Sequence, residues 1–169
     1  MMKISISLAA VLICYFQLAS VNANLIDEEC PKTPKLNVCF SSLNPYYRTH
    51  DPPSVRELAI VMGSTVLVNK VYATINKINE FIKEMPSYQV LRKCSFNFQI
   101  IRDNKITEFR GSFVKSDYGV AASALSSIVP FADGCSSPLS KGYSDLIDLC
   151  TDVSNSVTVA AAIVKDIPK

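Results

Sequence analysis

The sequence predicts an all-α protein, an antiparallel four-helix bundle with an N-terminal α-hairpin and two disulfides. Three observations lead to this fold class. Apolar residues recur at steps of three and four along most of the chain, which is the helical period. Short breaks containing proline or glycine divide that pattern into four long segments, as an up-and-down bundle requires. Five cysteines follow the N-terminal leader, enough for two bridges in a secreted protein.

The N-terminus has the layout of a secretory signal peptide. Met-Met-Lys precedes an apolar stretch, and Val21-Asn22-Ala23 supplies small residues before a cleavage point. We therefore predict a signal peptide over residues 1–23 and a single mature domain over 24–169. The apolar run is shorter than the roughly 20 residues that span a bilayer, so no membrane association is expected after cleavage.

The charge of the mature chain is close to zero. The full chain has 17 basic and 15 acidic residues, and the leader removes one lysine, so the formal charge falls from +2 to +1. A balance this close to neutral argues against nucleic acid or a polyanionic sugar as the partner.

The first long helix is predicted from Ser54 to Met85. Ser54 follows two prolines and can cap the helix, with Glu57 three residues on, as in a capping box. Residues 64–75 are rich in β-branched side chains, so a strand remains an alternative there.

Three further helices complete the predicted bundle. The second runs from Ser87 to about Lys115, and the third begins at the cap residue Asp117 and ends at Pro130. Residues 133–142 are predicted to be a loop because of their composition. The last helix has the most regular apolar seam, running from Tyr143 to Ile167.

The region before Ser54 is too short for a bundle helix. Thr33 can cap a short helix that carries Leu36, Cys39 and Leu43. We therefore predict an appended α-hairpin over residues 24–53, with the bundle occupying 54–169.

The mature chain lacks the residues that most enzymes need. His50 is its only histidine and lies in a polar turn, and no CxxC or HxxxH pair is present, so neither a metal nor another cofactor is expected. Asp145, Asp148 and Asp152 are interpreted as the solvated face of the last helix rather than as catalytic carboxylates. Cys150 lies in the apolar seam, where burial would make its thiol inert.

Four segments carry a family resemblance. They are the pair Cys30-PKTPKLNV-Cys39, the segment VLRKCSF followed 41 residues after its cysteine by Cys135, the run KSDYGVAASALSSIVPFADGC, and the tail DVSNSVTVAAAIV. In this order behind a signal peptide, the chain resembles the plant invertase and pectin methylesterase inhibitor family over essentially the whole mature sequence.

The resemblance implies a disulfide pairing that cysteine counting leaves open. It implies a bridge Cys30–Cys39 within the hairpin and a bridge Cys94–Cys135 between the second and third bundle helices. Cys150 would then be the free thiol.

The resemblance also implies a function. The protein is expected to be a secreted inhibitor, not an enzyme, that binds one target enzyme, 1:1, and covers its active-site cleft. The target would be an acid invertase (β-fructofuranosidase), which we prefer, or a pectin methylesterase. The expected location is the extracellular apoplast of the plant cell wall, with the vacuole as an alternative.

Two departures from the family pattern bear on the target. Some invertase inhibitors have Pro-Lys-Phe at the start of the third helix, where this chain has Ser116-Asp117-Tyr118-Gly119. Many relatives have Thr before the fourth cysteine, where this chain has Gly134.

The predicted target contacts lie at the turn before the third helix. They are Lys115, Ser116, Asp117 and Tyr118. In the alternative interpretation, Asp117 only caps the helix and Tyr118 only packs into the core. A different function class also stays open: a non-inhibitory extracellular helical carrier that holds an apolar ligand in the seam.

Overall fold

The computed structural model describes residues 24–168, so the predicted signal peptide and Lys169 lie outside the described residues. The described residues form helices joined by short turns and contain no strand. The predicted all-α class is confirmed.

The N-terminal hairpin consists of two short helices. Helix α1 spans Leu25–Glu29 and continues into a 3-10 turn, and α2 spans Leu36–Leu43. The predicted capping of α2 by Thr33 is wrong, because the N-cap position belongs to Lys35. The Thr33 hydroxyl instead donates to the Cys30 carbonyl at 2.8 Å and closes the preceding turn.

Helix α3 runs over Val55–Glu84 and is the first helix of the bundle. The Ser54 hydroxyl accepts a hydrogen bond from the Glu57 amide at 3.2 Å, so the predicted cap is present. The Glu57 carboxylate accepts from the Tyr47 hydroxyl at 3.4 Å, which ties α3 to the segment that follows α2. The alternative of a strand over residues 64–75 is wrong.

A π-helical turn over Val61–Val66 widens α3 where α4 crosses it. A Cβ atom at Gly63 would lie 2.6 Å from Cζ of Phe109, so the close approach of this buried ring requires glycine. The Arg110 guanidinium donates to the Ser64 carbonyl at 3.1 Å, which gives the widened turn a partner on α4.

Helix α4 covers residues 89–114 and contains a second π-helical turn, Ile101–Lys105. The third bundle element is a pair of helices, α5 (Tyr118–Ser126) and α6 (Val129–Ser136). The prediction that Pro130 ends a helix is wrong. Pro130 lies in the first turn of α6, where its missing amide costs no intrahelical bond.

The start of the predicted loop 133–142 is also helical, because α6 continues through Cys135 to Ser136. The last helix, α7, spans Ser144–Lys165. It packs against α3, α5 and α6, while α4 packs against α3, α5 and α6 from the other side. The side chains fully buried between these helices include Leu58, Met62, Ile78, Leu91, Phe98, Ile101, Phe109, Leu125 and Ile128.

Two disulfides reinforce this arrangement. Cys30–Cys39 closes the hairpin, and Cys94–Cys135 joins α4 to α6. Cys150 is an unpaired, buried thiol on α7.

Two bundle helices are long and apolar enough to cross a membrane. They are Val55–Glu84 and Lys141–Lys165, of which 44% and 50% of the most apolar window is buried within the protein. Because these helices pack against each other and form the core, their hydropathy is accounted for by the bundle interior.

Candidate target-binding surface

The turn between α4 and α5 has a defined backbone conformation. Ser116 adopts a left-handed conformation with φ of 60°, which is uncommon for a residue other than glycine. The Ser116 amide donates to the Phe113 carbonyl at 3.0 Å, and the Asp117 amide donates to the Ser112 carbonyl at 2.9 Å. These bonds complete the end of α4 and hold Ser116 in place.

Asp117 and Tyr118 both have structural partners. The Asp117 carboxylate accepts from the Val120 amide at 3.1 Å, which caps α5. The Tyr118 ring is half-buried and meets the Phe113 ring edge to face at 5.4 Å. The Arg56 guanidinium at the start of α3 lies 5.5 Å from the centre of the same Phe113 ring. The turn is therefore fixed to two bundle helices.

Residues 114–117, 119 and 120 of the turn are exposed. We refer to Val114, Lys115, Ser116 and Val120 as the turn surface, because the Asp117 carboxylate is engaged in capping α5 and Gly119 has no side chain. Val114 is 77% exposed and Val120 is 44% exposed. Sequence reasoning missed both valines. For Val114 the sequence held a signal, because this residue follows the core residue Phe113 directly and its side chain therefore points about 100° away from the buried face of α4.

A hollow of about 610 Å³ borders the turn. Its lining among the described residues is Ser116, Asp117, Tyr118, Gly119 and Pro168. The turn and the C-terminal end of the chain therefore lie at the same end of the bundle.

The side chains that the sequence analysis considered for catalysis, His50 and the aspartates of α7, do not form a catalytic arrangement among the described residues. His50 is exposed, with Nδ1 3.4 Å from the Thr49 hydroxyl, and residues 24–168 contain no group of three or more histidine, cysteine or acidic side chains arranged to hold a metal ion. On α7, Asp145 and Asp152 pair with lysines of α3: Lys77 at 3.8 Å and Lys70 at 3.6 Å.

The free thiol of Cys150 is not set up as a nucleophile. Burial raises the pKa of Cys150 to about 12, and the nearby charge of Asp133 adds to this effect. Because the thiolate is the reactive form, very little of this residue is reactive near neutral pH.

A comparison with protein-family models matches residues 24–163 to the family described as plant invertase/pectin methylesterase inhibitor. The chain belongs to this family. Members of the family are proteinaceous inhibitors of enzymes rather than enzymes, and they are extracellular proteins of the apoplast.

Solved structures agree with the fold. A mutant form of a pectin methylesterase inhibitor from Arabidopsis matches with a TM-score of 0.74 and 16% identity, covering 87% of this chain and 99% of that one. A pectin methylesterase inhibitor from Arabidopsis thaliana matches with a TM-score of 0.63 and 17% identity, covering 88% and 99%. A comparison with curated protein sequences finds no match. At these identities the structural likeness demonstrates the inhibitor fold.

Proposed function

We propose that this protein is a secreted inhibitor that binds a plant acid invertase 1:1 and blocks its active-site cleft. The proposal rests on the family match over residues 24–163 combined with one structural observation. At one end of the bundle, a fixed turn exposes an apolar side chain, Val114, with 77% of its surface free.

The turn surface has the properties that an inhibitor contact needs. A few buried anchors usually contribute most of the binding energy at an interface, and an ordered contact loses less entropy on binding. Full burial of an exposed valine is worth roughly 1.5–3 kcal/mol. In this proposal Val114 and Val120 enter the target interface, while Lys115 contributes a charge at its edge.

Asp117 and Tyr118 have a different role in this proposal. Because Asp117 caps α5 and Tyr118 packs on Phe113, both residues position the turn surface. Ser116 belongs to the contact through its exposed position and its left-handed backbone.

Pectin methylesterase is the second candidate target. The family description includes both enzymes, and both solved structures are named as pectin methylesterase inhibitors. The absence of Pro-Lys-Phe at residues 116–119 weakens the case for an invertase inhibitor of that subgroup, and Gly134 before the fourth cysteine weakens the case for a pectin methylesterase inhibitor. Our preference for invertase rests on the resemblance of the hairpin and of Lys115-Ser116-Asp117-Tyr118 to a looser subgroup of invertase inhibitors.

Secretion is part of the proposal. We propose that residues 1–23 are removed and that the mature domain, 24–169, reaches the apoplast, with the vacuole as the alternative. The carrier alternative has less support, because fully buried side chains such as Phe98 and Phe109 fill the seam in which an apolar ligand would have to lie.

The test is a titration of the mature protein into assays of acid invertase and pectin methylesterase under identical conditions. We expect invertase activity to fall in proportion to added protein and to reach its minimum near one equivalent, with pectin methylesterase unaffected. Inhibition of pectin methylesterase alone would establish the second candidate. Failure to inhibit either enzyme would refute the proposal for both targets.

A further inference from the structure

A groove separates the hairpin from the first bundle helix and shares no lining residue with the turn surface. It has a volume of about 290 Å³ and lies between the end of α2 and the part of α3 that follows the π-helical turn. This volume is close to the smallest volumes of small-molecule binding sites, which range from about 300 to 1,000 Å³. Unusual π-helical turns recur at functional sites, which directs attention to the residues placed just after this one.

An exposed aromatic ring forms one wall of the groove. Tyr46 is 40% exposed, although its neighbour Tyr47 is buried against Glu57. The Tyr46 amide donates to the Leu43 carbonyl at 2.9 Å, which holds the backbone of this turn against the end of α2. Val66, almost fully buried, supplies an apolar floor.

Polar side chains surround this apolar surface. Ser41 and Ser42 approach from α2, and Asn69 and Lys70 approach from α3. Asn69 is exposed, and the Ser41 hydroxyl makes one long bond at 3.2 Å to the Val38 carbonyl. The groove therefore combines an aromatic face with hydroxyl, amide and ammonium groups, which can donate to an oxygen-rich ligand.

The charges near the groove favour a neutral ligand. The cation of the groove, Lys70, lies 3.6 Å from the Asp152 carboxylate, which balances its charge. The mature chain carries a formal charge near +1, so no wider field attracts anions.

We propose that this groove binds a neutral saccharide. A pyranose ring has an apolar C–H face that can lie on the Tyr46 ring, and a rim of hydroxyl groups that can bond Ser41, Asn69 and Lys70. The small open groove predicts weak binding, with a Kd on the order of 1 mM.

This site is independent of the proposed inhibition. Arg56, which lies beside the turn through its contact with Phe113, and Val66, the groove residue nearest to it along α3, are separated by about 15 Å at 1.5 Å per residue. A saccharide can therefore occupy the groove while the turn surface contacts the target, and it would hold the inhibitor beside glycans that surround that target.

The test is an NMR titration of the isotope-labelled mature protein with sucrose, cellobiose and galacturonate as separate probes. We expect sucrose or cellobiose to shift the amide signals of residues 41–46 and 66–70, with the signals of residues 113–120 unchanged. Tyr46→Ala should weaken this binding at least tenfold, and Asn69→Ala should weaken it with the fold intact. Tyr72→Ala is the matched control, because Tyr72 is an exposed tyrosine of α3 outside the groove.

Three results would overturn the proposal. They are the absence of shifts with both neutral probes at concentrations far above 1 mM, equal binding by the Tyr46→Ala variant and the original chain, and binding of galacturonate alone. None of these outcomes depends on inhibition of an enzyme, so the saccharide site and the inhibitor function are tested separately.

Discussion

Lys32 connects the hairpin to the end of the last helix through two carboxylates. Its ammonium lies 2.6 Å from Glu29 Oε1 and 3.0 Å from Asp166 Oδ2. The Glu29 side chain is only 5% exposed, and burial raises its pKa above the ordinary value of 4.5 although Lys32 acts in the opposite direction. The hydrogen bond from Lys32 lowers the pKa of Asp166.

The two pKa shifts have opposite consequences for stability. Glu29 holds its proton more tightly in the folded chain than in the unfolded chain, so its ionisation costs stability as the pH rises through its raised pKa. Asp166 contributes stability when ionised, and this contribution is lost only as the pH falls through its lowered pKa. Lys32 therefore matters most above the raised pKa of Glu29, where both carboxylates are charged.

Lys32→Met should lower the thermal midpoint more at pH 7 than near pH 4.5, the ordinary pKa of a glutamic acid. At pH 7 the substitution leaves the Glu29 and Asp166 carboxylates together without their cation. At the lower pH a proton bound by Glu29 replaces part of the missing charge. Thermal melts followed by circular dichroism at both pH values measure the difference.

Lys35→Met is the matched control for this prediction. Lys35 is an exposed lysine of the same hairpin and belongs to no ion pair among residues 24–168. Its thermal midpoint should change little and by the same amount at both pH values. Equal pH dependence in the two variants would show that the Glu29–Lys32–Asp166 cluster does not couple the hairpin to α7.

At the scale of the elements, the crossing of α3 and α4 depends on Gly63. Gly63→Ala should destabilise the protein by about 1–3 kcal/mol, because the new Cβ would overlap the buried Phe109 ring and force it to move. Gly111→Ala on α4 is the control: nothing lies within 4 Å of its Cβ position, and alanine favours the helix by roughly 0.5–1 kcal/mol. Urea unfolding of both variants measures these changes. A Gly63→Ala variant as stable as the original chain would contradict the close approach of the Phe109 ring to Gly63.

The two disulfides should differ in their effect on the bundle. Replacing Cys94 and Cys135 with alanine should destabilise by about 2–5 kcal/mol, because this bridge closes a 41-residue separation and joins α4 to α6. The hairpin bridge closes a separation of 9 residues and should contribute less. Denaturant unfolding of the two alanine pairs compares them, and a larger loss for the hairpin pair would be inconsistent with this ordering.

The helices themselves were predictable from the sequence, whereas their irregular turns were not. Apolar spacing predicted α3, α4 and α7 closely, because that spacing reports directly which face is buried. The π-helical turns arise where α3 and α4 cross, and this contact joins residues such as Gly63 and Phe109 that are distant in sequence. Proline is common both just after a helix and in the first turn of a helix. The local sequence around Pro130 fits both positions, so it does not decide between a helix end and a helix start.

At the scale of the whole molecule, the candidate contact site at residues 115–118 stays a prediction, and the sequence did not reveal that two neighbouring valines are exposed beside it. Resemblance directed attention to residues 115–118, and the structure uses Asp117 and Tyr118 to fix the turn. The exposure of Val114 and Val120 depends on how α5 packs beside α4, which single-residue propensities do not encode.

The central claim is that the turn surface makes the inhibitory contact, and one measurement tests it most directly. It compares the inhibition constants of Val114→Asp and Phe96→Asp against the enzyme that the mature protein inhibits. Both residues are exposed hydrophobic side chains of α4, 77% and 62% exposed, so the two substitutions introduce the same charge on the same helix.

Neither substitution should unfold the protein, and circular dichroism provides the control for this. Val114→Asp should weaken inhibition at least tenfold, because a carboxylate would be buried at the centre of the proposed interface. Phe96→Asp should leave the inhibition constant within about twofold, since exposed substitutions away from an interface have small effects. Loss of inhibition by Phe96→Asp, with Val114→Asp unaffected, would contradict the account and place the contact on the outer face of α4.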